Sequence, residues 1–344
     1  MKAVILLEQN KQLVVDEIEL PELSVGQVLV KIEVSGICGR QIGEITGAKG
    51  EDKFLPHLLG HEGGGIVEQV GAGVTTVNVG DKVVMHWRKG DGIESGFPSY
   101  KWGDKIVGGG LVTTLSEYSV VSENRVTTIS SNVPFDIAAL MGCATTTALG
   151  LINNEAKLKI GQSVAVIGAG NVGLNLIQAS SLVSAYPIIA VDIVKEKLDF
   201  AKEFGATHFI NTGEIDLDEG IKRIVGRSGV DVVIDCTGIV QLMSSGFSFT
   251  ASGGTMVMVG QPHHEKSLII NSMANNFTGK TLIDSEGGKT DPTVDIPRYL
   301  KLYESGKLEL DKLITNRYKL DNINRAIDEI RSGNVIGKCI IEMT

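Results

Sequence analysis

The 344-residue chain is 42% hydrophobic and 21% charged, ordinary proportions for a globular protein, and it is too long for one ordinary core, so two domains are expected. Its net charge of −9 leaves no basic stripe to meet phosphates, which excludes a nucleic-acid partner. Four scattered cysteines do not make a disulfide framework, and without a run of about 18 apolar residues no spanning helix or membrane partner is expected, only a cytoplasmic location.

The opening MKAVILLEQNKQLVV is apolar only briefly and meets Glu8 at once, so it reads as a strand and not as a secretory leader. QVLVKIEV (27–34) places Val28, Val30, Ile32 and Val34 on one face. GGGIVEQVG and DKVVM continue the alternation between glycine-rich turns, predicting a compact, mainly β region over about the first 130 residues. Glycine reaches 42 of 344 residues, which points to many tight turns and close backbone approaches. Near Pro134 the pattern becomes helical: PFDIAALMGCATTTALGLINN spaces its apolar residues as a helix does, with Asp136 early, where a helix N-terminus favours negative charge.

From residue 162 short apolar runs (SVAVIG, PIIAVD, THFIN, VDVVIDC, GTMVMVG) alternate with helical stretches such as KEKLDFAKEFG. Buried strands alternating with helices predict a parallel, doubly wound α/β sheet. The first of these turns carries Gly168, Gly170 and Gly173 in G-x-G-x-x-G, after a strand and opening a helix through Asn171 and Val172. The next strand ends in Asp192, nineteen residues beyond Gly173. Together these predict a dinucleotide site: the glycines admit a pyrophosphate to the helix N-terminus and the carboxylate accepts from the adenosine ribose, which favours NAD over NADP. After residue 290, VDIPRYLKLYESGKL and NINRAIDEIRSG read as helices and IGKCIIEM as a closing strand that is expected to rejoin the first domain.

Residues 58–84, LLGHEGGGIVEQVGAGVTTVNVGDKVV, closely resemble the signature of the zinc-containing alcohol dehydrogenases of the medium-chain dehydrogenase/reductase superfamily. The resemblance covers essentially the whole chain. It implies a GroES-like, mainly β catalytic domain (1–155 and 291–344) and a Rossmann NAD-binding domain (156–290). Three zinc ligands are implied: Cys38 in G-x-C-G, His61 in G-H-E-x-x-G and Cys143 in MGCATTTALG, with Glu62 as a neighbouring or alternate ligand and a member of the catalytic group. Two thiolates and an imidazole leave one tetrahedral position open, as a catalytic zinc requires. Zinc can polarise an alcohol or carbonyl oxygen there while hydride passes to or from the nicotinamide. The resemblance also implies that Asp192 and Lys197 meet the ribose, that Trp87 and Arg88 line the substrate cleft, and that Lys338 stands where an arginine usually meets the pyrophosphate. A homodimer or homotetramer, often built through the strand near 279–284, acting on a small alcohol or carbonyl substrate, is the family's habit.

Two departures from the family are expected to matter. The stretch 86–118 contains no cysteine, so only the catalytic zinc and no structural one is expected. Trp87, Phe97, Tyr100 and Trp102 all fall there, and aromatic packing is expected to organise the lobe, with substrate contact the alternative for Trp87. The family usually follows its first cysteine with a hydroxyl, an aspartate and a relay histidine; here Arg40, Gln41 and Gly43 stand at those places. Gln41 is expected to accept from His61, and the proton to leave by the ribose hydroxyls and water, or by His86. Arg40 is open to three readings: a surface arginine, a ligand for an anionic group on the substrate or the pyrophosphate, or the mark of a site that has lost its chemistry. Two arginines at one cleft favour a polar or anionic, sugar-like substrate. A zinc-free reductase and a silent dinucleotide-binding homologue are the competing functions. His57 is read as a nearby polar residue, and His263 and His264 as a loop contact at most.

Overall fold

The computed structural model describes residues 1–270 and 278–343, in two compact units: Met1–Thr146 with Asp291 onward, and Thr147–Thr290. The division falls after Thr146, nine residues earlier than the expected 155.

The first unit is built on β1 (Lys2–Leu6), β2 (Val14–Glu17), β3 (Gln27–Gly36), β4 (His57–Leu58), β5 (Glu62–Val70), β6 (Lys82–His86), β7 (Ser99–Trp102), β8 (Lys105–Gly108), β9 (Tyr118–Ser122) and β10 (Val126–Thr128). Helices α1 (Gly39–Ile45) and α2 (Phe135–Met141) interrupt them, and α3 (Ala144–Gly150) carries the chain across the division. The second unit holds β11 (Val164–Ile167), α4 (Asn171–Leu182), β12 (Ile188–Asp192), α5 (Lys195–Ala201), β13 (His208–Asn211), α6 (Leu217–Val225), β14 (Val230–Asp235), α7 (Val240–Phe249), β15 (Thr250–Met258) and β16 (Thr281–Asp284). The chain then returns to the first unit with α8 (Pro292–Glu304), β17 (Ile314–Lys319), α9 (Ile323–Arg331) and β18 (Lys338–Glu342).

Strand β3 is the hub of the first unit. It pairs antiparallel with β5, β9 and β18 inside the larger sheet, ordered β10-β6-β5-β3-β18-β17. The sequence alternation predicted one buried face, but β3 is buried on both. Val28, Val30 and Ile32 enter one hydrophobic cluster, and Leu29 enters another on the side of the five-stranded sheet β2-β1-β4-β8-β7. Helix α9 shows why an amphipathic sequence docks. Ile323, Ala326 and Ile327, at helical spacing, meet Ile37, Leu59 and Cys339 in one cluster, with burial of each isoleucine contributing about 1.5–3 kcal/mol.

The aromatic lobe is organised differently from expectation. Tyr100 is fully buried, and its hydroxyl accepts from the Val120 N–H at 3.0 Å. Trp102 packs on the same cluster and donates to Asp16 at 2.8 Å. Tyr100 thus ties the β7–β8 hairpin to β9 of the larger sheet, and Trp102 ties it to β2 of its own sheet. Phe97, by contrast, is 65% exposed and belongs to none of the buried clusters described, and Trp87 lies against two arginines.

The second unit is a six-stranded parallel sheet ordered β13-β12-β11-β14-β15-β16. The order reverses after β11, which puts the turn following that strand at the crevice where open α/β sheets take their ligands. Strand β11 is buried at every position, as both covered faces demand.

Candidate metal centre and dinucleotide site

Three chain segments meet at a trio of side chains that could hold a metal. Cys38 ends the loop after β3 and caps α1; His61 sits just before β5; Cys143 follows Gly142 in the turn between α2 and α3. Their ligand atoms lie within 4.8 Å of one another. His61 Nε2 is buried and has no hydrogen-bond partner among the described residues, an arrangement that a cation would satisfy. Cys143's thiol, then His61, holds the Cys38 thiol well below its ordinary range against the effect of burial. The Cys38 thiolate and burial push Cys143 up. Burial opposes a charge on His61, but Cys38 raises its pKa. One thiolate is therefore already preferred, and a divalent cation would draw the second proton off. Two sulfurs and one imidazole nitrogen suit zinc.

Glu62 is not part of that trio. Its carboxylate is 0% exposed and forms a buried ion pair with Lys338, itself 1% exposed. Burial raises the Glu62 pKa while Lys338 pulls it down; burial lowers that of Lys338, which Glu62 together with Cys38 and Cys143 more than offsets. This corrects two expectations. Glu62 lies outside the trio whose ligand atoms meet, its Oε1 taken by the ammonium and its Oε2 buried without a partner among the described residues, and Lys338 spends its ammonium on Glu62 inside the first unit, where a pyrophosphate contact was expected. Gly36 makes the pairing possible: a Cβ there would lie 2.7 Å from Lys338 Cε and 2.8 Å from the Glu62 carboxyl carbon.

Gln41 is also placed otherwise than expected. Its Oε1 accepts from the Cys38 backbone N–H at 2.8 Å, fixing the first turn of α1, so it does not orient His61. His86 is no proton route either. Nδ1–H donates to the Arg88 carbonyl at 2.7 Å, and Nε2 accepts from Thr127 Oγ1 at 2.9 Å. A carbonyl can only accept, so the ring is the neutral Nδ1–H tautomer. Burial, then Arg125, lowers its pKa to about 4.

That shift has a sign. The folded state resists the proton while the unfolded chain takes it at the ordinary value, so stability is lost as pH falls from about 6.5 towards 4. At pH 5 the His86 contribution amounts to about 2 kcal/mol. The urea unfolding free energy is expected to drop by about that much less between pH 7.5 and pH 5 in a His86→Asn protein than in wild type. Equal drops in the two proteins would show that His86 titrates normally.

The strand register brings the remaining side chains to the trio. Glu62 pairs with His86 across β5 and β6, so Trp87 and Arg88 leave the sheet beside His61. Arg125, buried, donates to the Trp87 carbonyl and to Glu94. His86 and Arg125 thus hold the carbonyls of both residues of the Trp87–Arg88 pair from within. The Arg88 guanidinium lies 5.5 Å and that of Arg40 6.0 Å from the centre of the Trp87 ring. Arg40 is 47% exposed and meets Glu44 at 3.5 Å. His57 is tied to Asp52 and to the Leu58 carbonyl, both at 2.8 Å, and His263 and His264 lie in an exposed loop.

In the second unit the glycine turn has the expected form. Gly168 takes φ +96°, and Gly170 caps α4, which opens with Asn171 and Val172. A Cβ on Gly173 would lie 1.9 Å from the Gly168 carbonyl oxygen, whereas one on Gly170 would meet nothing within 4 Å. Gly173 therefore closes the turn and Gly170 leaves open the space a pyrophosphate needs. Asp192, at the end of β12, accepts from the Ala169 N–H at 2.8 Å and the Val194 N–H at 3.0 Å. It thus braces the turn as well as offering the ribose a carboxylate. Lys197 stands half-buried in the first turn of α5.

The comparisons agree with this geometry. The model of the zinc-binding dehydrogenase family matches residues 171–305, and that of the alcohol dehydrogenase GroES-like domain matches residues 24–131. Alcohol dehydrogenase class-P of Arabidopsis thaliana is 33% identical, over 99% of this chain and 97% of its own. A probable S-(hydroxymethyl)glutathione dehydrogenase 1 of Schizosaccharomyces pombe is 30% identical over 99% and 97%. The crystal structure of benzyl alcohol dehydrogenase from Acinetobacter calcoaceticus superposes with a TM-score of 0.89 at 27% identity, over 100% of this chain and 99% of that one. With a cysteine–histidine–cysteine trio in one unit and a Rossmann sheet in the other, the chain belongs to the zinc-containing alcohol dehydrogenase family of the medium-chain superfamily and is an NAD-linked alcohol oxidoreductase.

Proposed function

We propose that the protein holds one catalytic zinc on Cys38, His61 and Cys143 and interconverts an alcohol with its aldehyde or ketone, using NAD, on a polar or anionic, sugar-like metabolite. The observation that carries the metal is the buried His61 Nε2, left without a partner beside two thiols. When bound, zinc polarises the substrate oxygen and makes the alcohol proton easier to lose. The chain's own residues do the rest. Cys38 and Cys143 supply charge to the site, and α1, fixed by Gln41, holds Cys38 in place. Lys338 neutralises Glu62, so that no uncompensated carboxylate lies behind the trio. Asp192 and the glycine turn take the dinucleotide. Strand β16 ends the nucleotide sheet among the described residues, and such an edge supports a homodimer or homotetramer; a monomer mass by light scattering would refute that part.

Metal analysis of the purified protein tests the reading. One zinc per chain in wild type and none in Cys143→Ser, with NAD-dependent oxidation of alcohols in the first alone, is the expected result. Turnover by zinc-free protein would favour a reductase mechanism, and no turnover across a broad alcohol panel would favour a silent dinucleotide-binding homologue.

A further inference from the structure

Strand β6 ends at His86 and β7 begins at Ser99, and the chain between them belongs to no helix or strand. Its first part is nevertheless fastened closely. Three consecutive buried residues hold it: Glu123, Asn124 and Arg125, which form a single 3-10 turn between β9 and β10. Glu123 Oε1 accepts from the Ile93 N–H and the Asn124 carbonyl from the Gly90 N–H, both at 2.8 Å. Arg125 donates with one terminal nitrogen to the Trp87 carbonyl and with the other to Glu94, so it closes both ends of a strap, Trp87–Glu94. The sheet delivers the turn to this place. Val126 opens β10 opposite Met85 of β6, so the residues just before Val126 face those just beyond Met85.

Trp87 is the point where the strap meets the trio. His86 is the strand partner of Glu62, which sets the next residue, Trp87, beside His61. The Arg40 guanidinium, two residues beyond Cys38, lies 6.0 Å from the centre of the Trp87 ring. Glu123 and Asn124 already tie the middle of the strap. Arg125 adds a guanidinium that is 6% exposed, and among the described residues all its hydrogen bonds go to the strap. Taking such a charge out of water is costly, and what it secures beyond the other two ties is the backbone of Trp87.

We propose that Arg125 is a positioning residue for the substrate cleft: through the Trp87 carbonyl it fixes the Trp87 ring, and so sets which alcohols the cleft admits. This rests on the alcohol dehydrogenase reading, in which Trp87 lines that cleft. The donors of a guanidinium lie in one rigid plane, so the arm held by Glu94 aims the other at the Trp87 carbonyl, which a lysine ammonium cannot do from the same place. A wall fixed before the substrate arrives lowers the ordering cost of binding and discriminates by shape. Because such a wall meets the substrate and its transition state alike, its loss acts on KM and spares kcat.

The test reads the position of Trp87 apart from turnover. Trp87 and Trp102 are the chain's two tryptophans, so in a Trp102→Phe parent the emission reports Trp87 alone. In Arg125→Met, acrylamide quenching of that emission is expected to rise and its anisotropy to fall, with smaller changes in Arg125→Lys. Glu94→Ala keeps Arg125 and unhooks one arm; it serves if Arg125→Met does not fold, and both readings should move in the same direction. For the best alcohol of the panel, KM is expected to rise about 10-fold in Arg125→Met, with kcat within about threefold. Zinc content should match the parent's, and the preference between small and bulky alcohols should narrow. Lower urea stability with quenching, anisotropy and KM all as in the parent would overturn the proposal and leave Arg125 a staple of the loop. A fall in kcat at unchanged KM would overturn it too, since the residue would then act on the chemistry. If the parent turns over no alcohol, the dehydrogenase reading falls, and the emission measurements by themselves decide whether Arg125 fixes Trp87.

Discussion

Lys338→Met is expected to lower the unfolding free energy by about 3–5 kcal/mol, the largest stability loss from any single exchange near the metal trio. Methionine fills most of the lysine's volume, so the loss is electrostatic and not a cavity effect. Glu62 is 0% exposed and has no other ion-pair partner among the described residues. Burial already pushes that carboxyl up, with Lys338 the first influence against it. The second variant makes the argument testable: Glu62→Gln combined with Lys338→Met removes both charges, and most of the lost stability should return. Urea denaturation of the three proteins at pH 7.5 measures the cycle. A single-variant loss under about 1 kcal/mol, with no recovery in the double, would mean that water reaches the pair and that it behaves as a surface bridge.

The second large effect lies in the glycine turn, where two similar exchanges should behave differently. An alanine methyl at 173 would stand 1.9 Å from the backbone oxygen of Gly168, so the turn itself must move. A forced shift of this kind costs about 1–3 kcal/mol and should appear both in the stability of the second unit and as roughly 10–100-fold weaker NADH binding. At 170 the methyl meets no protein atom and φ is −81°, ordinary for alanine. Gly170→Ala should therefore fold as wild type does and still lose NADH affinity, because it fills the space left for the pyrophosphate. NADH fluorescence titration beside thermal unfolding separates the two. Unaltered NADH affinity in Gly170→Ala would place the pyrophosphate elsewhere.

The parts of this protein that were legible in the sequence are those set by local spacing. G-x-G-x-x-G between a strand and a helix, with an aspartate at the next strand end, is a pattern over about 25 residues, and the parallel sheet follows from repetition of the same unit. The trio could be named only because its three segments resemble known ones; spacing alone does not bring Cys143 to Cys38. What stayed hidden depends on long-range pairing. Nothing near Lys338 announces a carboxylate 276 positions earlier, and a lysine close to the chain's end resembled a cofactor contact for want of that partner. Gln41 was misread for a related reason. An amide can orient a histidine or cap a helix, and the choice rests on where α1 begins. His86 offered two ring nitrogens to a proton route until the fold supplied a carbonyl and a hydroxyl for both. Arg125 carried no local signal at all, and the clamp on Trp87 became visible only in three dimensions.

The return of the chain to the first unit sets the timetable of assembly during synthesis. Strand β18 lies between β3 and β17 in the larger sheet and brings Lys338 to Glu62. While the ribosome is still making the last stretch, β3 has an open edge and Glu62 has no counter-charge, yet all the strands of the nucleotide unit have already emerged. Domains generally fold in the order they are made, so the Rossmann unit can be complete and competent for NAD while the metal-binding unit still waits for its closing strand. A nascent or truncated product would then be a dinucleotide binder with an exposed strand edge and an unneutralised carboxylate behind its thiols. Such a species is open to proteolysis and edge-to-edge association. Arrival of β18 thus closes the first unit only after the strands of the nucleotide unit have been made.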